Sequence, residues 1–285
     1  MGGFRFGHRA MHTQFALLLE SDDEEVAEDA AAACWELVDR LDTLLSRFRY
    51  GSDLSILNSV EKPGLVRVAA ETLACLKVAA DAHTLSFGVF DVTINPVWEV
   101  YRNVGVGRGV SEVDLEKAKQ LVGRDGWAIE DGKVRVKRVG MQLDLGGIAK
   151  GFALDRMAAV LKSHGIESAL INTGQSTLLA TDAKAWLITP SAGKEKLTLS
   201  LGALSSSSNP DGQLIDPRTS RRAESSWLSV MVKAPTAALA DALSTAFMLL
   251  HEQQVREVCQ ADPKIAARLY RESNVEPIKV GQNPF

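Results

Sequence analysis

Apolar residues recur at alternating steps of three and four through Val26, Ala30, Cys34, Leu37, Leu41 and Leu44, the spacing of one face of a helix. Ser21-Asp22-Asp23-Glu24 precedes this stripe with the serine and glutamate spacing of a capping box, so a helix is predicted over about Ser21 to Ser46. Met11 to Glu20 ahead of it reads as a strand. A second helix is predicted over about Ala69 to Leu85, and Phe90-Asp91-Val92-Thr93-Ile94-Asn95-Pro96 reads as a polar loop, since Asn-Pro marks an extended or turn segment. Ser111 to Val122 is a short helix closed by Gly123, and Trp127 to Val136 is a hairpin turning at Asp131-Gly132. Met141 to Leu145 runs extended into Gly146-Gly147, and a helix from about Ile148 to His164 closes at Gly165. From Ala169 to Val232 short β-like runs alternate with turn residues, and Thr236 to Leu250 is a final, strongly apolar helix.

Strands and helices interleave without a regular βαβ rhythm, which implies an α+β fold. There is no internal repeat, no low-complexity run longer than Ser205 to Ser208, and no shift in composition that marks a boundary. At 285 residues, one large domain or two packed lobes both fit. Hydrophobic residues at 46% and charged residues at 24% exclude disordered and collagen-like chains. Lys and Arg total 32 against 36 for Asp and Glu, a net charge of −4 with no basic block, so no nucleic-acid partner is expected. Cys34, Cys75 and Cys259 lack a second cysteine at metal-ligand or redox spacing and read as buried free thiols. No stretch has the character of a signal peptide or the length of a bilayer span. The sequence as given therefore reads as cytoplasmic, or as exported if a leader was removed, with no transmembrane segment and its oligomeric state left open.

Two places carry candidate chemistry. Asp241 and Thr245 lie four residues apart, so both project from one face of the last helix. Both offer hard oxygen of the kind Mg²⁺ prefers. The same spacing equally serves a buried aspartate capping a neighbouring loop and a threonine bonding back to its own helix. Leu143-Asp144-Leu145-Gly146-Gly147-Ile148-Ala149-Lys150-Gly151 sets glycines, a helix N-terminus and a lysine together, a combination suited to an anion. A tight turn of purely structural use reads the same way, and the segment is neither a Walker A loop nor G-x-G-x-x-G. Asn172 to Gln175 and Ile215 to Thr219 read as turns, and His12 and His83 as ordinary histidines. No histidine and aspartate pattern accompanies the serine row, which speaks against serine hydrolase chemistry.

The order and separation of these pieces between about Met11 and Leu250 resemble the ApbE family of FAD:protein FMN transferases. The matching residues are Ala10-Met11-His12-Thr13, Ser52 to Asn58, Phe90 to Thr93 with Pro96, Leu143 to Gly151 with Asp155, Asn172 to Gln175, Ile215 to Thr219, and Ala240 to Ala246. The resemblance implies a two-lobed α+β domain spanning 1–285, with mixed and antiparallel sheets and a ligand cleft between the lobes. It implies transfer of FMN from FAD to a threonine or serine of a flavin-acceptor protein, with release of AMP. Mg²⁺ would be held by the Ala149 carbonyl, Asp241 and Thr245. Met11 would pack on the flavin, Asp91, Thr93, Lys150 and Asp155 would lie along the nucleotide, and Gly174 and Asp216 would complete the cofactor set. Asp241 would also count as catalytic, together with position 213. There the family usually has histidine three residues before the Asp-Pro pair, and this chain has Gln213. His12 stands where glycine is usual, Gln175-Ser176 where Gly-Asp is, and Ser206-Ser207 where Thr-Ser-Gly is. Three readings follow from the resemblance: an FMN transferase with an altered site, a noncatalytic FAD-binding relative favoured by Gln213, and an Mg²⁺-dependent FAD hydrolase giving FMN and AMP. The retained Asp241 and Thr245 pair favours the first and third.

Overall fold

Alternating burial along Thr13–Ser21 sends Phe15, Leu17 and Leu19 to one face, all three within 1% of complete burial, which is the period-2 signature of a strand packed on a core. The computed structural model describes residues 2–104, 109–174, 176–189, 196–210, 212–272, 275–283 and 285. Along the chain, β1 (Gly2–Ala10) and β2 (Thr13–Ser21) precede α1 (Glu24–Leu45), α2 (Asp53–Asn58), β3 (Gly64–Val66), α3 (Ala70–Leu85), α4 (Asn95–Asn103) and α5 (Glu112–Lys119). Next come β4 (Trp127–Glu130), β5 (Lys133–Val136), α6 (Ala149–Ser163), β6 (Ala169–Thr173), β7 (Thr177–Ala180), β8 (Trp186–Ile188) and β9 (Leu197–Leu199). The order ends with β10 (Gly202–Ser208), β11 (Ile215–Asp216), β12 (Arg221–Arg222), β13 (Ser229–Ala234), α7 (Ala237–Phe247), α8 (Glu252–Ala261), β14 (Ala266–Tyr270) and β15 (Ile278–Val280). Mixed helices and antiparallel sheets make this the expected α+β architecture.

The elements fall into two compact units, each discontinuous in sequence. The first comprises Met1–Asp42, Gly147–Pro210 and Ser225–Phe285, and the second Thr43–Gly146 and Asp211–Glu224. The first unit is built on an eight-stranded sheet in the order β1-β2-β6-β7-β10-β13-β14-β15, antiparallel at every step. Ala169, Leu170 and Ile171 are buried in succession on β6, so both faces of the sheet are covered there. One cover is a cluster in which Leu170, Leu204 and Met231 pack with Ile188, Leu197 and Leu199 of the β8–β9 hairpin. In the second unit, β3, β5 and β4 form a small antiparallel sheet and β11 pairs with β12.

Several boundaries differ from the sequence reading, each for a local reason. Met11 and His12 are not strand residues but the two-residue turn of the β1–β2 hairpin, with φ of 47° and 58°; β1 itself was not anticipated, because Gly2, Gly3 and Gly7 weaken its pattern. Asp23, not Ser21, caps α1, accepting from the Glu25 and Val26 N–H groups at 2.9 and 3.3 Å, while Ser21 ends β2. Asn95-Pro96 opens α4 instead of a turn, with proline in its first positions, where its missing N–H costs nothing. The serine row, Ser205 to Ser208, lies in β10 and pairs with β13. The apolar helix ends at Phe247, and α8, β14 and β15 follow it.

Helices α6 and α7 meet at Gly151. A β-carbon there would stand 2.2 Å from the Ala237 carbonyl oxygen and 2.8 Å from the Ala238 nitrogen, well inside van der Waals contact with backbone that cannot step aside. Gly151→Ala is expected to destabilise the fold by about 3 kcal/mol, as overpacking against a rigid neighbour does. Urea unfolding reads this directly, and a loss below about 1 kcal/mol would show that the helices separate at little cost.

Candidate functional site

The first turn of α6 exposes N–H groups that its own chain cannot pair, and the residue before it, Ile148, offers no side-chain acceptor. Asp241, on the second turn of α7, takes that role: its Oδ2 accepts from the Gly151 N–H at 3.0 Å. Asp155 on α6 reciprocates, accepting from the Ala237 and Ala238 N–H groups at the start of α7 at 2.7 and 2.9 Å. Each helix is thus capped by a carboxylate of the other. Asp241 is 5% exposed, and burial pushes its carboxyl above the usual carboxylate range, against the charge of Lys150, the Gly151 N–H and the Thr177 hydroxyl. Burial likewise pushes Asp155 up to about 6, offset in part by its two backbone donors and by Arg156, and reinforced by the Asp241 charge.

Thr245 stands one turn beyond Asp241 and donates to the Asp241 main-chain carbonyl at 3.4 Å, the back-bonding arrangement that a helical threonine adopts by itself. Ser207 lies 3.4 Å from the Thr245 hydroxyl. Among the described residues no group of three His, Cys, Asp or Glu side chains gathers as a metal cluster. The oxygen set of Asp241, Thr245 and the Ala149 carbonyl nevertheless fits a hard cation in kind, being carboxylate, hydroxyl and carbonyl. A carboxylate has about four lone-pair positions, and Asp241 uses two, on Gly151 and on Thr177. The buried, under-compensated charge is the feature that suits a cation.

At the same end of this sheet, the Gly174 N–H donates to the Gln14 carbonyl at 2.6 Å, which sets Gly174, with φ of +57°, beside the hairpin whose turn is Met11-His12. A β-carbon on Gly174 would meet the Thr13 hydroxyl at 3.2 Å. Gln175 lies outside the described residues. Two functional candidates that sequence reasoning missed sit here: Thr177, whose hydroxyl reaches Asp241 Oδ1 at 3.4 Å, and Ser205, 3.0 Å from Thr177. Their only sequence signal is a hydroxyl at strand positions that turn out fully buried.

In the second unit, Asp91 and Thr93 satisfy one another. Asp91 Oδ1 accepts the Thr93 N–H at 2.8 Å and its hydroxyl at 2.6 Å, and Thr93 in turn accepts from the Gly123 N–H at 2.7 Å. Asp216 accepts from the Arg218 guanidinium at 2.9 and 2.6 Å, which holds the arginine more firmly protonated. Gln213 is exposed. Arg47, unnoticed in the sequence, bonds Asp144 at 2.9 Å and Glu99 at 3.3 Å, with its guanidinium 4.1 Å from the Phe48 ring centre.

The ApbE family model matches residues 11–269. An FAD:protein FMN transferase of Vibrio cholerae is 25% identical over 252 residues, covering 79% of this chain and 75% of the relative. Among solved structures, the Pseudomonas stutzeri flavinyl transferase ApbE in its apo form superposes with a TM-score of 0.87 at 23% identity, over 98% of this chain and 95% of its own. The ApbE protein of Thermotoga maritima superposes with a TM-score of 0.80 at 26% identity, over 94% of each chain.

The reciprocal caps make a pH prediction. Folded, Asp155 keeps its proton up to about pH 6; unfolded, it releases it near 4. Between those values the folded chain binds more protons, so this contribution to stability falls as pH rises, by about 3 kcal/mol in all, and is level above pH 6. Urea unfolding of the protein and of Asp155→Asn at pH 4, 5, 6 and 7 should show their stability difference declining through that window. A difference that stays flat refutes the assignment.

Proposed function

This chain belongs to the ApbE family, and on that premise we propose that it moves FMN from FAD to a threonine or serine of a partner protein, with release of AMP. The observation that supports the reading most is the buried Asp241 carboxylate, fixed at the N-terminus of α6 beside Lys150, with Thr245 one turn away. In the reaction the acceptor hydroxyl oxygen forms a bond to the phosphorus of the FMN half. The bond from that phosphorus to the bridging oxygen breaks, and AMP departs with the bridging oxygen. Mg²⁺ held by the Ala149 carbonyl, Asp241 and Thr245 would neutralise the charge that develops on the diphosphate. Lys150 adds a positive charge on the first turn of α6, where helix N–H groups already favour anions. Met11, Gly174, Asp91, Thr93, Asp155 and Asp216 are the further residues we assign to FAD, with the last four acting through the hydrogen bonds they already make.

Gln213 is the chain's departure. An amide cannot take the hydroxyl proton at neutral pH, so this proton must pass to the departing phosphate or to water. Phosphoryl transfer depends mostly on positioning and charge neutralisation, its transition state being loose in most analyses. Loss of a base at position 213 therefore slows the reaction and does not forbid it.

The deciding experiment incubates the full chain with FAD, Mg²⁺ and an acceptor carrying the family's target motif, then measures AMP and covalent flavin. Both products are expected. AMP alone identifies an FAD hydrolase, bound FAD with neither product a binding protein, and failure to bind FAD rejects all three. Asp241→Ala should abolish the Mg²⁺-dependent rate. Gln213→His should raise the transfer rate by about 10²-fold, the typical worth of a positioned base; an unchanged rate removes position 213 from the proton's path.

A further inference from the structure

Buried polar groups in the first unit are concentrated in one place. Its described residues include Thr173, Thr177, Ser205, Asp241, Ser244 and Arg268 as buried polar or charged side chains, and Thr177, Ser205, Asp241 and Ser244 lie where β7 and β10 pack against α7. A hydroxyl in such an interface costs free energy unless it is bonded, and valine or alanine would fill the same space.

The hydroxyls here are wired together and to Asp241. Thr177 lies 3.0 Å from Ser205 and 3.4 Å from Asp241 Oδ1. Ser205 lies 3.2 Å from Ser244, which lies 2.7 Å from Ser207 and donates to the Asp241 carbonyl at 2.9 Å. Each hydroxyl has a single hydrogen, and this fixes a direction. An ionised carboxylate only accepts, so Thr177 must give its hydrogen to Asp241. The contact between Thr177 and Ser205 then uses the hydrogen of Ser205, and Ser244, whose own hydrogen goes to the Asp241 carbonyl, has none to give to Ser205.

We propose that Thr177 is a positioning residue for Asp241, and that Ser205 sets the direction of its hydrogen. With the Gly151 N–H on Oδ2 and the Thr177 hydroxyl on Oδ1, both oxygens of the carboxylate are held and its rotation is stopped. The lone pairs left over then keep one orientation for a divalent cation. The inference rests on the reading of Asp241 as an ion ligand and deepens it, since neither Thr177 nor Ser205 belongs to the proposed ligand set.

Mn²⁺ added to the full chain, with the free ion followed by its electron paramagnetic resonance signal, measures affinity without any turnover. Thr177→Val keeps the volume and deletes the hydroxyl; Thr177→Ser keeps the hydroxyl and deletes a methyl. Thr177→Val is expected to weaken Mn²⁺ binding about tenfold, as loss of a hydrogen bond to a charged group does. Thr177→Ser should stay within about twofold and Ser205→Ala should fall between the two, as expected for a group acting through its neighbour. Thermal unfolding of each variant checks that it is folded. A role in packing alone predicts the reverse order, with Ser worse than Val, and that order overturns the proposal, as do three variants that bind like the parent. If the parent itself binds no Mn²⁺, the assignment of Asp241 as an ion ligand fails, and this inference fails with it.

Discussion

The first unit depends on a mutual arrangement at one helix crossing: Asp241 of α7 closes the start of α6, and Asp155 of α6 closes the start of α7. Neither cap is local in sequence, since 90 residues separate Asp241 from Gly151 and 82 separate Asp155 from Ala237. Helix N-termini leave donors that must be paired when buried; Thr236 caps α7 locally through the Leu239 N–H, but the Ala237, Ala238 and Gly151 donors are paired by the other helix. Gly151 is the third part of the device. Without a side chain it lets the backbones approach closely enough for the carboxylate to reach its N–H, and any β-carbon would push Ala237 away.

That arrangement leaves two acids at one crossing, and they repel. The Asp241 charge contributes to the raised pKa of Asp155, while Lys150 works in the opposite sense on Asp241. The fold accepts this cost within a helix whose neighbouring positions are apolar: Ala237, Ala238, Ala240, Ala242 and Leu243 are all buried.

Legibility of the sequence follows the range of the interactions. The α6 and α7 helices, the Asp131-Gly132 turn and the Ser111 cap announce themselves through nearest neighbours, and each is found, with φ of 49° and 70° at the turn and Ser111 accepting from Asp114 at 3.3 Å. Asp241 and Thr245 were also legible, because i and i+4 on a helix share a face. What the Asp241 side chain bonds to was not. Gly151 and Thr177 reach it from α6 and β7, and Ser205 reaches Thr177 from β10, so no spacing along the chain could announce them. Edge strand β1 escaped notice for a different reason: its glycines and arginines carry little β-propensity, and it is held by pairing with β2. The Met11-His12 turn takes two positive φ angles without a glycine, a conformation that sequence rules assign to Asn-Gly or Gly-Gly.

Charge decides how such a site could serve an anionic substrate. The whole chain carries −4, so its overall field repels a diphosphate and any attraction must be local. At the α6–α7 crossing, Asp155 and Asp241 stand against Lys150 and Arg156, so with both acids ionised the local charges cancel and offer a diphosphate no net attraction. A divalent cation on Asp241 would turn that balance positive, as metal ions invert the logic of the sites they enter. On the proposed reading, then, anion binding at this crossing is conditional on the cation, and the order of events is set by electrostatics: a diphosphate arrives with its cation or after it, because without the cation the crossing offers it no net attraction.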